Sequence, residues 1–211
     1  MSPDRPRKLR ARSENPAGLN FTLHMRRLCT DMVHRVDDLG HIDMSRVAVS
    51  FSQARKSTDY GMFASLTPMR FPGGKRHMIR RGETWGIQRL EGPHGREMLY
   101  ILNFYVPRFL DINTLREKLL TVLHELWHIG PKFDGDSRRF RGRCHAHSAS
   151  QESYDARVEI LMNRYLAAKP PESICGFLRL NFRELTSRFG TVIGEKIPAP
   201  KLFRVAQSGR S

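Results

Sequence analysis

The sequence predicts an α+β fold, and three observations carry that reading. Short runs of alternating or continuous apolar residues, bounded by turn formers, read as strands of a small twisted sheet. Longer stretches repeat apolar residues every three or four positions and read as helices. One of these, over 114–129, is apolar around most of its circumference, so it is expected inside the domain, with the sheet packed on it and helices flanking it.

The elements follow in order. Residues 1–19 combine Pro, Arg, Ser and Gly with little apolar content and predict a basic disordered tail. Residues 197–211 repeat that character around Pro198 and Pro200 and predict a flexible C-terminal tail, leaving 20–196 as a single domain. Asn20 is a good N-cap, and Phe21, Met25, Leu28, Met32, Val36 and Leu39 trace a helix as far as Gly40. Val47, Val49 and Phe51 alternate within a half-buried strand over 46–52. A weaker strand over 60–66 is closed by Pro68, and a basic loop covers 71–81. Segments 85–90 and 98–106 flank the turn formers of 91–95 and are expected to pair as a hairpin. The second of these is apolar on both faces, as suits a strand covered on each side. Thr114 and Glu117 fit a capping box at the start of the central helix, and Gly130-Pro131 ends it. A polar loop over 131–149 leads to a helix over 150–168 whose inner face is Val158, Leu161, Met162, Tyr165 and Leu166. Pro170-Pro171 then precedes a last helix over 176–189.

Composition excludes several classes. The chain has 211 residues, 39% of them hydrophobic, which is enough to bury a core and argues against a wholly disordered protein. No apolar run approaches the ~18–20 residues that span a bilayer, and the basic first residues have no apolar stretch behind them. A cytoplasmic protein is expected. Cys29, Cys144 and Cys175 are odd in number and form no CxxC pair, so free thiols are expected rather than a disulfide framework. With 36 Lys+Arg against 21 Asp+Glu, the formal charge of +15 makes nucleic acid a candidate partner. The excess is concentrated in the N-terminal tail, around Arg70, Lys75, Arg76, Arg80 and Arg81, and over 138–143.

The chemistry is concentrated in His124-Glu125-Leu126-Trp127-His128, an HExxH motif inside the apolar helix. Residues four apart share a helix face, so both imidazoles can bind one metal ion. Glu125, turned about 100° from His124, can approach a water molecule on that metal without being a ligand. Two histidines and a glutamate in an apolar helix are costly to bury without partners, and a metal ion is the natural partner. Zinc with three protein ligands acidifies its bound water and polarises a carbonyl, which is the chemistry of metal-assisted hydrolysis. The third ligand has several candidates. His147 leads, with His145 two residues before it; Cys144 and the carboxylates Asp134, Glu152 and Glu159 are the others. Whichever of His145 and His147 does not bind metal can donate a hydrogen bond to a developing oxyanion.

From about residue 98 to 166, the apolar strand, the HELWH helix, the loop with a late histidine and the following helix resemble the zincin metallopeptidases. The closest likeness is to the compact SprT-like domains and phage metallopeptidases. The resemblance implies a zincin-like fold, zinc as cofactor, His124, His128 and His147 as metal ligands, Glu125 as general base, and a protein or peptide substrate. It also implies that an edge strand aligns substrate by β-addition, for which 98–106 and 85–90 are the candidates. The Gly-His-Gly surrounding the late histidine of SprT-like proteins is replaced here by Cys144-His-Ala-His-Ser148, and their zinc ribbon is absent. A different class of function is a basic nucleic-acid-binding or interaction protein with a structural zinc, closed by His124, His128, His147 and either Cys144 or His145. There Glu125 is dispensable.

Overall fold

The computed structural model describes residues 5–9, 18–54, 61–139 and 151–205. The described residues form a mixed α+β structure with five α-helices and four small sheets. None of these helices is long and apolar enough to cross a membrane.

The chain begins with β1 (Arg7–Lys8) and β2 (Leu19–Asn20), followed by α1 (Phe21–Arg35). Asn20 caps α1 by accepting the Leu23 N–H at 3.1 Å, as its position predicts. The helix ends at Arg35, short of Gly40; a 3₁₀ turn over Asp37–Leu39 takes up the remainder, and the Gly40 N–H closes it onto Asp37 O. β3 (Val47–Gln53) follows, then β4 (Ala64–Pro68), β5 (His77–Arg80), β6 (Glu83–Ile87), β7 (Leu90–Glu91) and β8 (Tyr100–Val106). The remainder is α2 (Leu115–Trp127), α3 (Gln151–Ala167), the short α4 (Glu172–Cys175), α5 (Phe182–Phe189), β9 (Val192–Ile193) and β10 (Leu202–Arg204).

The principal sheet has the order β3-β8-β4, with β3 parallel and β4 antiparallel to β8. β8 is therefore central and almost wholly buried, which explains a sequence apolar on both faces. Tyr100, Leu102, Phe104 and Val106 face one way, with Val47 and Val49, and meet the helices in the main core. Ile101 and Ala48 face the other way, into a smaller cluster with Leu9, Met69, Leu90, Met98 and Ile197. α2 packs against both β4 and α3 on the helical side. The capping box expected at Thr114 and Glu117 is present.

Several expectations are corrected. Strand β5 lies inside the segment read as a basic loop, and β6 pairs with β5 and β10 rather than with 98–106. Of the expected hairpin only its base survives, with Met98 N–H bonded to Leu90 O at 2.8 Å and a bridge between Glu91 and Glu97. The segments read as tails also contain strands: β1 pairs with β7, and β10 pairs with β6. These pieces of two or three residues are too short to show a period, and their partners lie some eighty to over a hundred residues away in the chain. The last helix, expected over 176–189, is divided. The carbonyls of Leu178 and Leu180 turn to the Nζ of Lys118 at 2.9 and 3.1 Å, and Asn181 and Glu184 cap a new helix with a reciprocal box. On α3, Leu166 is exposed, and the inner face is completed by Tyr154 instead.

Candidate metal centre

The site lies where α2, β4 and α3 meet. Apolar Leu119, Val122, Leu123 and Leu126 fix α2 by burying its inner side. His124, Glu125 and His128 remain partly exposed, the first two toward a cleft of about 430 Å³. Met62, Phe63, Leu120 and Val158 are among the residues lining that cleft, together with His124 and Glu125.

The two imidazoles converge as the four-residue spacing requires. Their Nε2 atoms are 3.1 Å apart and the ring planes stand at 80°. Two nitrogens each about 2.0–2.1 Å from a tetrahedral zinc are separated by roughly 3.3 Å, so the pair fits a shared ion of that kind. Tyr154 of α3 holds both rings. Its ring stacks on His128 at 5.1 Å and 28°, stands edge-on to His124 at 4.8 Å, and its hydroxyl donates to the His124 carbonyl at 3.0 Å. Burial pushes the Tyr154 hydroxyl well above its ordinary pKa, which keeps it a neutral donor.

His128 occupies the C-cap of α2, and the chain beyond it is held by Arg138. The Arg138 backbone N–H donates to His128 O at 2.7 Å, its Nε donates to Trp127 O at 2.7 Å, and its guanidinium lies 3.5 Å over the Trp127 ring. A cation at this end of the helix complements the macrodipole and closes carbonyls left open by the last turn.

Glu125 points to the sheet. Burial raises its carboxyl from an ordinary 4.5 to about 7, and the neighbouring Leu66 backbone N–H opposes that shift. The register of β4 explains why this N–H is available. Tyr105 donates to Phe63 O and Met69 donates to Leu99 O, so the odd residues of this stretch bond to β8. Ala64 and Leu66 thus turn their N–H and C=O groups to the outer edge, alongside α2. The two segments expected from the sequence to offer such an edge, 98–106 and 85–90, do not. β8 is paired on both sides and β6 belongs to another sheet, so neither offers an edge at the site.

Of the third-ligand candidates, His147, His145 and Cys144 lie outside the described residues. The three carboxylates do not join the histidines: among the described residues no group of three His, Cys, Asp or Glu side chains could hold a metal ion. Asp134 accepts the Asp136 N–H at 3.1 Å in the turn beside Gly74. Glu152 is exposed in the first turn of α3, and Glu159 pairs with Arg116 at the rim of the cleft. Sequence reasoning missed Tyr154 and the Leu66 N–H. Tyr154 lies four residues before Val158, so its place on the inner face was legible in the helical period; the Leu66 contact has no local sign.

Compared with known protein families, curated proteins and solved structures, the chain matches none.

Proposed function

We propose that the protein is a zinc-dependent metallopeptidase of zincin-like fold, in which His124 and His128 hold the metal and Glu125 is the general base. The observation that carries this reading is the pair of facing imidazoles on α2 with the Glu125 carboxyl beside them, next to a cleft that His124 and Glu125 line and to an open strand edge. His147 is the proposed third ligand on the strength of the resemblance, with His145 as its alternative. Two buried free thiols, Cys29 and Cys175, suit the reducing cytoplasm as the working compartment.

When bound, zinc supplies Lewis acidity toward a substrate carbonyl and toward water. The chain's own residues do the rest. Glu125 takes a proton from the attacking water and returns it to the leaving amine. An extended peptide beside β4 can pair with the backbone groups of Ala64 and with the Leu66 carbonyl, which positions its scissile bond beside α2. Recognition through main-chain groups orients peptides of varied sequence, while Met62, Phe63 and Val158 offer an apolar surface to one side chain.

The test measures zinc by mass spectrometry and hydrolysis of a quenched fluorescent peptide library, in the full chain and in Glu125→Gln, His124→Ala and His147→Ala variants. About one zinc per chain is expected, lost in His124→Ala and His147→Ala and retained in Glu125→Gln, where turnover falls by about 10²–10⁴-fold. Zinc retained with four protein ligands and Glu125→Gln indistinguishable from the native chain would establish a structural site and overturn the peptidase reading.

A further inference from the structure

We infer that the β5–β6 hairpin is a nucleic-acid-binding ribbon that inserts Ile79 between bases of a duplex while Arg80, Arg81 and Lys75 hold its phosphates. Four features of the ribbon lead there, and none of them depends on the metal centre.

The first is charge. Residues 75–82 contain Lys75, Arg76, Arg80 and Arg81 and no carboxylate, and all four cations are exposed. Arg76 is paired with Glu97 at 3.0 Å, but no ion pair among the described residues involves Lys75, Arg80 or Arg81. Cations held near one another without partners are what a phosphate backbone rewards, through release of its counterions.

The second is Ile79. It is 76% exposed, the most exposed of the large hydrophobic residues among the described residues, and it stands one residue before the two arginines. Strand register places it opposite Thr84, away from Met78, Trp85 and Arg80, which share the other face of the ribbon. An apolar side chain on one face, with Arg80 on the other and Arg81 at the tip, is the composition of a wedge that unstacks a base step while the cations beside it grip the backbone.

The third is shape. Arg81 and Gly82 both have positive φ, 53° and 76°, the requirement of the tight type I′ turn, so the ribbon ends in a narrow tip. Two strands lie about 4.8 Å apart, a ribbon slim enough to lie against the minor groove, the side from which apolar wedges unstack base steps. β10 stiffens the other side of β6: Phe203 covers Gly86, where a Cβ would come within 2.6 Å of its ring.

The fourth is anchorage. The base of the ribbon is bound to the turn that follows α2. The Gly73 N–H donates to the Asp136 carboxylate at 2.8 Å and the Arg70 N–H donates to Gly135 O at 3.1 Å, while the Arg70 guanidinium is buried against Glu97 at 2.7 Å. Gly135 has φ +92°, and a Cβ there would lie 2.4 Å from Arg70 Cγ, so this junction admits only glycine. The ribbon is thus fixed with respect to the helix bearing His124 and His128, and a bound duplex would be presented in a defined position relative to it.

The experiment is fluorescence anisotropy of the full chain with a labelled duplex of about 20 base pairs, repeated over a series of salt concentrations. Arg80→Ala with Arg81→Ala is compared with a charge-matched control, Arg27→Ala with Arg183→Ala, at exposed positions on α1 and α5. The ribbon pair is expected to reduce the slope of log K against log salt by about 2 and the control pair by less than half of that. A duplex with 2-aminopurine supplies a second reading: the native chain brightens it on binding, and Ile79→Ser abolishes the brightening while leaving the salt slope unchanged. Equal effects of the two arginine pairs would reduce the binding to the general charge of the chain and overturn the inference. So would tight binding to vesicles containing anionic lipid with none to the duplex. Peptide hydrolysis and zinc content are not read here, so failure of this inference is distinct from failure of the metallopeptidase reading.

Discussion

Helix α2 and the β5–β6 ribbon break the ordinary hydrophobic pattern in opposite directions. α2 carries His124, Glu125 and His128 within an apolar element packed between β4 and α3. The ribbon carries Ile79 at 76% exposure among cations. In the first, polar groups are held in low-dielectric surroundings, where they acquire unusual chemistry, as the Glu125 pKa near 7 illustrates. In the second, an apolar group is kept in water. The difference separates the proposed site for chemistry from the proposed site for recognition.

The contrast can be broken most forcefully at Glu125. Its replacement by Gln is expected to lower peptide turnover by about 10²–10⁴-fold with zinc retained, as measured by steady-state hydrolysis. The next effect is on stability. Leu126→Ala removes a fully buried side chain from the inner side of α2 and should cost about 2–5 kcal/mol in urea denaturation. Ile79→Ser, equally a loss of apolar carbons, should stay within about 0.5 kcal/mol of the native chain. A comparable loss at both positions would mean that Ile79 is packed in solution.

Acidity sharpens the comparison further. The Glu125 carboxyl is raised in the fold from 4.5 to about 7, so the folded state binds its proton more tightly than the unfolded state. In chelator-treated protein this contribution is fully present below about pH 4.5 and is lost as pH rises through about 7, by an amount on the order of 2–3 kcal/mol. Denaturation of Glu125→Gln across that window should lack this decline. The smallest effect is at Tyr154. Tyr154→Phe keeps the ring on His128 and removes the hydroxyl from the His124 carbonyl, which should cost about 1 kcal/mol and weaken zinc binding by about 10-fold, read by competition with a chromophoric chelator.

Much of α2 was legible because its instructions are local. The Thr114–Glu117 box, the apolar period and the HExxH spacing all act within one or two turns. The same holds for Asn20 at the start of α1 and for the alternation of β3. β5 was not legible because its four residues hold only two adjacent apolar side chains between His77 and Arg80, too few to show alternation, so 71–81 reads as a loop. β10, with three residues, gave even less to read. Lys118 has no local sign of burial, yet it is buried, and the carbonyls of Leu178 and Leu180 that enclose it come from sixty residues later.

By itself the sequence determined the helices that have strong caps and periods, the presence of an HExxH pair on one helical face, and the basic character of 70–81. Those properties depend on interactions among residues a few positions apart, which any chain with this sequence makes as soon as the backbone is helical. Only the tertiary structure decided that β4 is the edge beside α2, that the Leu66 backbone comes close to Glu125, that Tyr154 clasps both imidazoles, and that the ribbon is anchored behind the same helix at Gly135 and Asp136. Each is a pairing between segments tens of residues apart, selected by which buried surfaces and backbone hydrogen bonds the whole chain can satisfy together.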